Sequence, residues 1–179
     1  MIFEPVSPFI ASQYRIKYAT EAWERQGAAA LRHAVFCREQ GMFGNNDRDG
    51  VDRVATAIVA LSMLGVAADA VVGTVRIHEE SPGVWWGSRL AVAADHRRVG
   101  ALGTALIHLA VSSAHGRGCT RFLANVQSQN ALLFQRLHWQ TLEIVELHGR
   151  PHHHMEANLD FYPPFTAPEA GFLASRKAA

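Results

Sequence analysis

The sequence has little of the chemistry that cross-links or anchors a small protein. Its 179 residues include only two cysteines, Cys37 and Cys119, which lie far apart and form no CxxC pair. A disulfide framework and a cysteine-rich metal site are therefore excluded as organising features. No apolar run approaches the roughly 18 residues of a membrane-spanning helix, and the N-terminus lacks the basic and apolar regions of a signal peptide. We expect a soluble, cytoplasmic protein.

Net charge is also nearly absent. A formal charge of +1 at pH 7 creates no broad electrostatic field for nucleic acid or an anionic membrane, and neither partner is expected. The 49% of apolar residues suffice for one globular domain, which at this length buries roughly 70% of its unfolded surface. We expect a single domain over residues 1–162 and a weakly structured extension over 163–179, where proline, glycine and alanine are frequent.

Hydrophobic periodicity predicts an alternating series of strands and helices. The predicted strands are 14–19, 55–64, 70–78, 84–92, 121–126, 140–147 and 154–159. The predicted helices are 20–40, one ending near residue 115, and a short one opening near Ser128 or Asn130. A whole helix connects strands 84–92 and 121–126, which predicts that these two strands are parallel.

The stretch 89–107 combines a short apolar strand, two arginines, glycines and the start of an apolar-periodic helix. Glycines let the backbone approach a ligand closely, and the N-terminus of a helix presents unpaired N–H groups together with the positive end of its dipole. Arg97 and Arg98 add full positive charges. Taken alone, this order predicts either an anion site of the kind that holds phosphates or an ordinary strand-to-helix turn with solvated arginines.

Residues 42–54 form a polar loop rich in turn formers. Its carboxylates raise the hypothesis of a calcium loop, but the spacing lacks the glutamate of an EF-hand. The three histidines 152–154 raise a zinc hypothesis, but an extended segment cannot bring three adjacent side chains to one ion. We therefore expect no metal site.

This succession of elements resembles the GNAT superfamily of acyl-CoA-dependent N-acyltransferases. The family's phosphate motif, Arg/Gln-x-x-Gly-x-Gly/Ala, is similar to residues 97–103 with one extra residue between the glycines. LRHAVFCREQGMF followed by DRDGVD resembles the ElaA-like branch, as do VVGTVRI, NVQSQNALLFQRLHW and LHGRPHHHM. A closer likeness, carried by WWGSRLAV, QSQN and PHHHM, is to nitrogen-starvation-associated N-acyltransferases found beside bacterial nitrilase genes. Together these segments cover roughly residues 14–160.

The resemblance implies an α+β GNAT fold: a mixed central sheet of six to seven strands, with strands 84–92 and 121–126 splayed apart and about four helices around it. It implies acetyl-CoA or another acyl-CoA as co-substrate, a small amine as acceptor and no metal, and we consider a homodimer as the assembly. By the same resemblance, the backbone of Leu90, Ala91 and Val92 would bind pantetheine and one N–H would face the thioester carbonyl.

Further binding residues follow from the family motifs. The phosphate-binding segment would comprise Arg97, Arg98, Val99, Gly100, Ala101, Leu102, Gly103 and Thr104. Asn130 would bond the pantetheine or cap its own helix. Phe134 lies where many members have a tyrosine that protonates the departing thiolate, which phenylalanine cannot do. Trp85 and Trp86 are adjacent on a strand, so they must point to opposite faces.

The attacking amine needs a general base. Glu39, His153 and Glu79 are the predicted catalytic residues, with His152 and His154 as further candidates. Glu39 could instead pair with Arg32 or Arg38. The histidines are expected in the loop that enters the last strand, where alternation separates His153 from His152 and His154. Cys37 could be a nucleophile, but an inert position on a helix is the favoured interpretation.

These features predict direct transfer of an acetyl or larger acyl group from CoA to a small-molecule amine. A catalytically silent acyl-CoA-binding regulatory module is the alternative, because Phe134 cannot act as an acid and no single base stands out.

Overall fold

The computed structural model describes residues 9–98 and 101–176. They form one eight-stranded sheet in the order β6-β7-β5-β4-β3-β2-β1-β8. The strands are β1 (Gln13–Tyr18), β2 (Thr56–Leu64), β3 (Ala67–Ser81), β4 (Val84–Val92), β5 (Arg121–Gln127), β6 (Trp139–Leu147), β7 (Arg150–Ala157) and β8 (Phe172–Ser175). Neighbouring strands are antiparallel except β4 and β5. The predicted mixed sheet with one parallel pair is confirmed, with one strand more than the upper prediction.

The α-helices in the described residues are α1 (Ala22–Arg32), α2 (Leu102–Gly116) and α3 (Ala131–Arg136), rather than about four. A π-helical segment, His33–Glu39, continues α1, so the single helix predicted over 20–40 changes its hydrogen-bonding pattern halfway. No helix in these parts of the chain is both long and apolar enough to cross a membrane.

The two long helices cover opposite faces of the sheet. Ile58 and Ala60 of β2 pack in the main core together with the apolar side of α2. Their neighbours Val59 and Leu61 point the other way and pack against Ala28 of α1. Because successive strand residues alternate between faces, these two groups define an α1 face and an α2 face of the sheet.

The parallel strands β4 and β5 separate after a short paired region. Their register runs from Val84 opposite Arg121 to Gly87 opposite Ala124 and ends there. Both strands continue, and β5 then pairs only with β7 on its other side. Residues 88–92 of β4 consequently have an edge without a strand partner, which confirms the predicted splay.

A β-bulge lies where the two strands separate. Thr74 of β3 pairs with Ala91, but Arg76 pairs with Ser88, so β4 has one extra residue between these pairs. Arg89 adopts φ 57°, in the left-handed region. A bulge bends its strand and redirects side chains, and here both Ser88 and Arg89 direct their side chains to groups on the α1 face.

The strand β7 begins earlier than the sequence predicted. A tight turn at His148 and Gly149, with φ 52° and 71°, matches a two-residue hairpin connection. Residues 152–154 therefore lie inside β7 rather than in a loop before it, which corrects the expected boundary of 154–159. His152 is opposite Gln127, His154 is opposite Asn125 and His153 is opposite Val126, so the predicted alternation of the three histidines is confirmed.

The C-terminal tail is part of the sheet. β8 pairs with β1 from Ser175 opposite Gln13 to Phe172 opposite Ile16. The segment before it is fixed by a backbone hydrogen bond of 2.8 Å from the Tyr18 N–H to the Pro168 carbonyl. The expectation of weak structure is therefore wrong for residues 172–175, because backbone pairing along β1 compensates for a composition that favours loops.

We expect Gly171→Ala to weaken the docking of β8. Gly171 has φ 65°, and a Cβ there would overlap the Ile16 carbonyl oxygen. The expected loss is roughly 3 kcal/mol of unfolding free energy, from backbone strain together with overlap. Gly65→Ala is the matched control, since Gly65 has φ 62° but open space around it, so only about 1 kcal/mol of strain applies. Equal losses in urea unfolding would contradict the proposed overlap.

Candidate functional site

A cavity of about 240 Å³ occupies the gap between β4 and β5. Its walls come from both faces of the sheet, so it crosses the sheet at the split. On the α2 face they are mostly apolar: Ile107, Ala110, Val111, Phe122, Ala124, Val126, Asn130, Phe134 and Trp139. On the α1 face they are aromatic and polar: Phe36, Met42, Phe43, Trp86, Ser88, Arg89, Asn125, Gln127, His148 and His152.

Gly87 sits at the point where the strands part. A Cβ on this residue would lie 3.0 Å from the Phe122 ring, which is tighter than ordinary packing. The absence of a side chain lets the ring fill the paired end of the gap, and Leu90 lines the open part.

Asn130 and Phe134 both line the cavity on the α2 face. Asn130 occupies the N-cap position of α3, yet its side chain makes no capping hydrogen bond. Phe134 is 6% exposed and meets Trp139 edge to face, with ring centroids 5.0 Å apart. The capping alternative for Asn130 is thus not used, and its amide is available to a ligand in the gap.

The side chains of the two adjacent tryptophans of β4 point to opposite faces of the sheet, as expected. Trp85 is buried in the main core on the α2 face. Trp86 lines the cavity, and its ring centroid is 5.3 Å from that of His154. Trp86 therefore forms part of the α1-side wall.

The loop after the π-helical segment closes the α1 side. The Gln127 amide donates to Gln40 Oε1 at 3.0 Å, and Arg150 donates to the Gln40 carbonyl at 2.6 Å. Phe43 packs on His148, with ring centroids 4.7 Å apart. These contacts hold the aromatic wall against β5 and the β6–β7 turn.

Three arginines and three aspartates form a linked set of ion pairs beside the cavity. We name it the Arg–Asp cluster: Arg32, Arg76, Arg89, Asp47, Asp49 and Asp52. Arg32 donates to Asp47 at 2.6 Å and to Asp52 at 2.7 Å. Arg76 binds Asp49 through two nitrogens, at 2.7 and 2.9 Å. Arg89 donates to Asp47 at 3.1 Å and to Asp49 at 3.2 Å.

The cluster favours the ionised forms of Asp49 and Asp52. Burial by itself would raise the pKa of Asp52, but hydrogen bonds from Arg32, from the Asp49 N–H and from Arg76 outweigh it and hold that pKa well below its usual range. Hydrogen bonds from Arg76 likewise lower the pKa of Asp49. The carboxylates that suggested a calcium loop are therefore occupied by guanidinium groups.

The predicted phosphate site is described only in part. Val99 and Gly100 lie outside the described residues. Ala101 is the N-cap residue of α2 and supplies no side-chain cap, and a Cβ on Gly103 would meet open space. Leu102 is buried, so it could contribute only its backbone. Because the first N–H groups of a helix lack intrahelical partners, this end of α2 can donate to an anion.

Arg97 and Arg98, which precede α2, are exposed, and Glu39 is exposed as well. Arg97 donates to Glu39 at 2.7 Å and to the Val92 carbonyl at 3.0 Å. The partner of Glu39 is thus Arg97 rather than Arg32 or Arg38, because Arg32 is already bound in the Arg–Asp cluster.

The predicted bases differ in where they lie. Glu39 and Glu79 do not line the cavity: Glu39 holds Arg97, and Glu79 accepts a 2.9 Å hydrogen bond from the Gly83 N–H in the β3–β4 turn. His153 lies on the α2 face, with Nδ1 3.0 Å from Thr141 Oγ1, and does not line the cavity either. His152 does line it and is 5% exposed.

Neither cysteine belongs to the cavity wall. Cys37 is half-buried in the π-helical segment, and its inert role stays a prediction. Burial raises the pKa of the Cys119 thiol to about 11. No group of three or more histidine, cysteine, aspartate or glutamate side chains converges on a metal position within residues 9–98 and 101–176.

Sequence reasoning missed several residues of the α1-side wall. Met42, Phe43 and Gln127 line the cavity, but nothing local in the sequence marks them. The Arg–Asp cluster had a usable signal in the spaced aspartates of DRDGVD, since buried carboxylates require cationic partners.

Similar architectures are found among solved structures of other proteins. An E. coli protein, ElaA, superposes with a TM-score of 0.67 at 20% identity, covering 81% of this chain and 98% of ElaA. A Lactobacillus plantarum protein assigned as an N-acetyltransferase gives 0.71 at 21% identity, covering 80% and 97%. BjaI, a CoA-dependent acyl-homoserine lactone synthase solved with isopentyl-CoA, gives 0.64 at 16% identity, covering 83% and 86%. The fold is therefore that of the GNAT acyltransferases.

Residues 39–139 match the acetyltransferase (GNAT) family. This match spans more than half of the chain, and the chain belongs to that family. No curated protein matches the sequence. Family membership and the structural neighbours support acyl transfer as the general activity.

We expect Asp52→Asn to destabilise the protein in a pH-dependent way. The pKa of Asp52 is lowered in the folded state, so its stabilising contribution is present above the unfolded value of about 3.9 and is lost as the pH falls below it. At pH 7 the free energy of unfolding of the variant should be lower by roughly 2 kcal/mol. This is less than for a fully buried pair, because the Asp52 side chain is 24% exposed.

Urea unfolding at pH 7 and near pH 3 checks this expectation. The difference between wild type and Asp52→Asn should shrink at the lower pH. Asp69→Asn is the matched control, since Asp69 is exposed on β3 and its change should be small at both values. A difference for Asp52→Asn that stays constant with pH would argue against an ionised Asp52 as the source of stability.

Proposed function

We propose that this protein transfers an acyl group from a CoA thioester to the amine of a small molecule. The observation that carries the proposal is the gap between β4 and β5, where residues 88–92 have no partner in β5 and a cavity crosses the sheet. Such a gap lets a thioester and an amine approach one point from opposite faces, which reduces the entropic cost of bringing them together. Family membership agrees with this chemistry.

The unpaired edge of β4 is the proposed pantetheine site. Backbone groups of Leu90, Ala91 and Val92 would hydrogen-bond the pantetheine amides in the place of a neighbouring strand, and the Asn130 amide would add a contact from the α2 face. One N–H of this edge would face the thioester carbonyl. A preorganised donor at that position stabilises the developing oxyanion, by about 3 kcal/mol in comparable sites.

The N-terminal end of α2 is the proposed diphosphate site. Its first N–H groups lack side-chain caps, and the positive end of the helix dipole favours an anion there. Arg97 and Arg98 would add charge-assisted hydrogen bonds to phosphate oxygens. Arg97 would then exchange its exposed ion pair with Glu39 for the diphosphate, a small loss because exposed pairs contribute little.

The cavity wall supports departure of CoA as the thiolate. Phe134 lines the wall near the position proposed for the reaction and has no proton to donate. The thiolate is a competent leaving group without an acid, and it regains a proton from solvent.

A silent acyl-CoA-binding module is the alternative, and the loss of an acid at Phe134 is what favours it. Isothermal titration with acetyl-CoA, followed by detection of released thiol with a panel of amines, separates the two. Binding with turnover supports the transferase, binding without any turnover supports the module, and no binding rejects both.

Three finer expectations accompany the proposal. A cytoplasmic location and a homodimer stay predictions. The likeness to nitrogen-starvation-associated N-acyltransferases rests on the sequence segments WWGSRLAV, QSQN and PHHHM alone.

We expect Gly103→Glu to weaken acetyl-CoA binding roughly tenfold or more, equivalent to about 1.4 kcal/mol. The glutamate would place negative charge beside the proposed diphosphate site. A carboxylate in the first turn favours the helix itself, so lost binding would not reflect unfolding. Titration calorimetry measures the affinity.

Gly103→Gln is the matched control for that change. It has nearly the same size, so both variants obstruct the approach of the ligand to the backbone alike, and the glutamate variant should bind roughly tenfold more weakly than the glutamine variant. Equal affinities of the glutamate and glutamine variants would place the diphosphate elsewhere.

A further inference from the structure

The α1-side end of the cavity, which we call its α1-side compartment, has a lining that differs from that of the α2-side end. Phe36, Met42, Phe43 and Trp86 give it aromatic and thioether walls, and its polar groups include Ser88, Asn125, Gln127 and His148. None of the described residues that line the cavity is an aspartate or a glutamate. An ammonium ion would find no anionic partner in this wall, whereas aromatic and thioether groups favour an apolar body.

The guanidinium of Arg89 in this wall is already neutralised. Arg89 donates to Asp47 and Asp49, and its Cζ lies 4.5 Å from the centroid of the Phe43 ring. The Arg–Asp cluster to which it belongs has as many carboxylates as guanidinium groups. A carboxylate on an acceptor would therefore have to compete with ion pairs that are already formed.

His152 brings a basic nitrogen into this compartment. It lies on the α1 face, opposite Gln127, and its side chain is almost fully buried against the cavity. Its Nδ1 is 2.9 Å from the Arg150 carbonyl oxygen. A carbonyl can only accept a hydrogen bond, so Nδ1 carries a proton, and in the neutral imidazole the lone pair is then on Nε2.

Resting on the proposed function, we propose that this compartment binds a primary amine on an apolar, uncharged body, and that Nε2 of His152 is the general base. The amine loses its ionising proton to solvent on entry, because desolvation disfavours the ammonium form.

The transfer itself balances without any further reactant. The nitrogen lone pair forms the bond to the thioester carbon, and Nε2 takes one of the two remaining N–H protons. The C–S bond breaks with its electron pair on sulfur, and the imidazolium proton then passes to the thiolate or to solvent. The products are an amide and CoA.

Pairs of amines that differ only in a carboxylate test the compartment. With acetyl-CoA, phenethylamine is compared with phenylalanine, and tryptamine with tryptophan. We expect kcat/KM at least tenfold higher for the amine without the carboxylate. The amino acids have the less basic amines, so this preference would reflect the site rather than ionisation in solution. Equal or better turnover of the amino acids overturns the proposal.

His152→Asn tests the base. The asparagine amide can keep the hydrogen bond to the Arg150 carbonyl while the Nε2 position is lost. We expect kcat with phenethylamine to fall about 100-fold, the scale of general-base catalysis, with the Kd of acetyl-CoA changed by no more than about twofold. An unchanged kcat in His152→Asn overturns the proposal. A kcat that falls in His153→Asn but not in His152→Asn also overturns it.

His115→Asn is the matched control. His115 Nδ1 is also hydrogen-bonded to a carbonyl, that of Tyr162 at 2.7 Å, but the residue lies on α2 away from the cavity, so its kcat should stay near that of the wild type. If His152→Asn does not fold, His152→Gln is used instead, because the glutamine amide cannot take a proton either.

The outcome with the wild-type protein separates this inference from the proposed function. If acetyl-CoA binds but no apolar amine accelerates thiol release, this inference is overturned alone. If acetyl-CoA does not bind, the proposed function is rejected with it.

Discussion

The Arg–Asp cluster is the interaction on which the site depends. Its members come from α1, from the loop after the π-helical segment, from β3 and from the bulge of β4. A buried charge is costly unless it is paired and hydrogen-bonded. Each arginine of the cluster therefore binds two carboxylates, and these shared partners fix the loop against the sheet. The loop in turn supplies Met42 and Phe43 to the wall of the cavity.

The cluster also explains the backbone at Arg89. A φ of 57° is unfavourable for an arginine, but the bulge is what turns its side chain toward Asp47 on the same face as Ser88. The bulge follows directly on the last paired residues of β4 and β5. The extra residue bends β4 where it leaves β5. The bulge that directs Arg89 to its ion-pair partners therefore lies where the two strands open.

The opening between β4 and β5 connects the α1 and α2 faces of the sheet, which differ in their side chains. The α2 face offers an apolar wall and the uncapped end of a helix, which suits a long thioester with a charged end. The α1 face offers aromatic side chains and the imidazoles of His148 and His152, which suits an uncharged amine. Because the sheet separates the two sides, each substrate can have its own approach, and they meet only where strand pairing is missing.

Most of the strand and helix order could be predicted because it depends on local patterns. Apolar runs located β2, β3, β4 and β5, and the helix connecting β4 to β5 required them to be parallel. The strand β8 was missed because its residues pair with β1, more than 150 residues earlier in the chain, and only that backbone pairing orders them. The start of β7 was missed because a turn at His148 and Gly149 needs left-handed backbone that the sequence HG signals only weakly.

The sequence by itself determined the order of β1 to β7 with their helices and the alternation of His152, His153 and His154, because these follow from periodicity. Only the tertiary structure decided which histidine faces the cavity, since a shift of one residue in register exchanges the two faces of a strand. It also decided the charge partners. Glu39 binds Arg97 and Arg89 binds Asp47 across about forty to sixty residues of chain, and such distant pairings are fixed by how the sheet and helices pack.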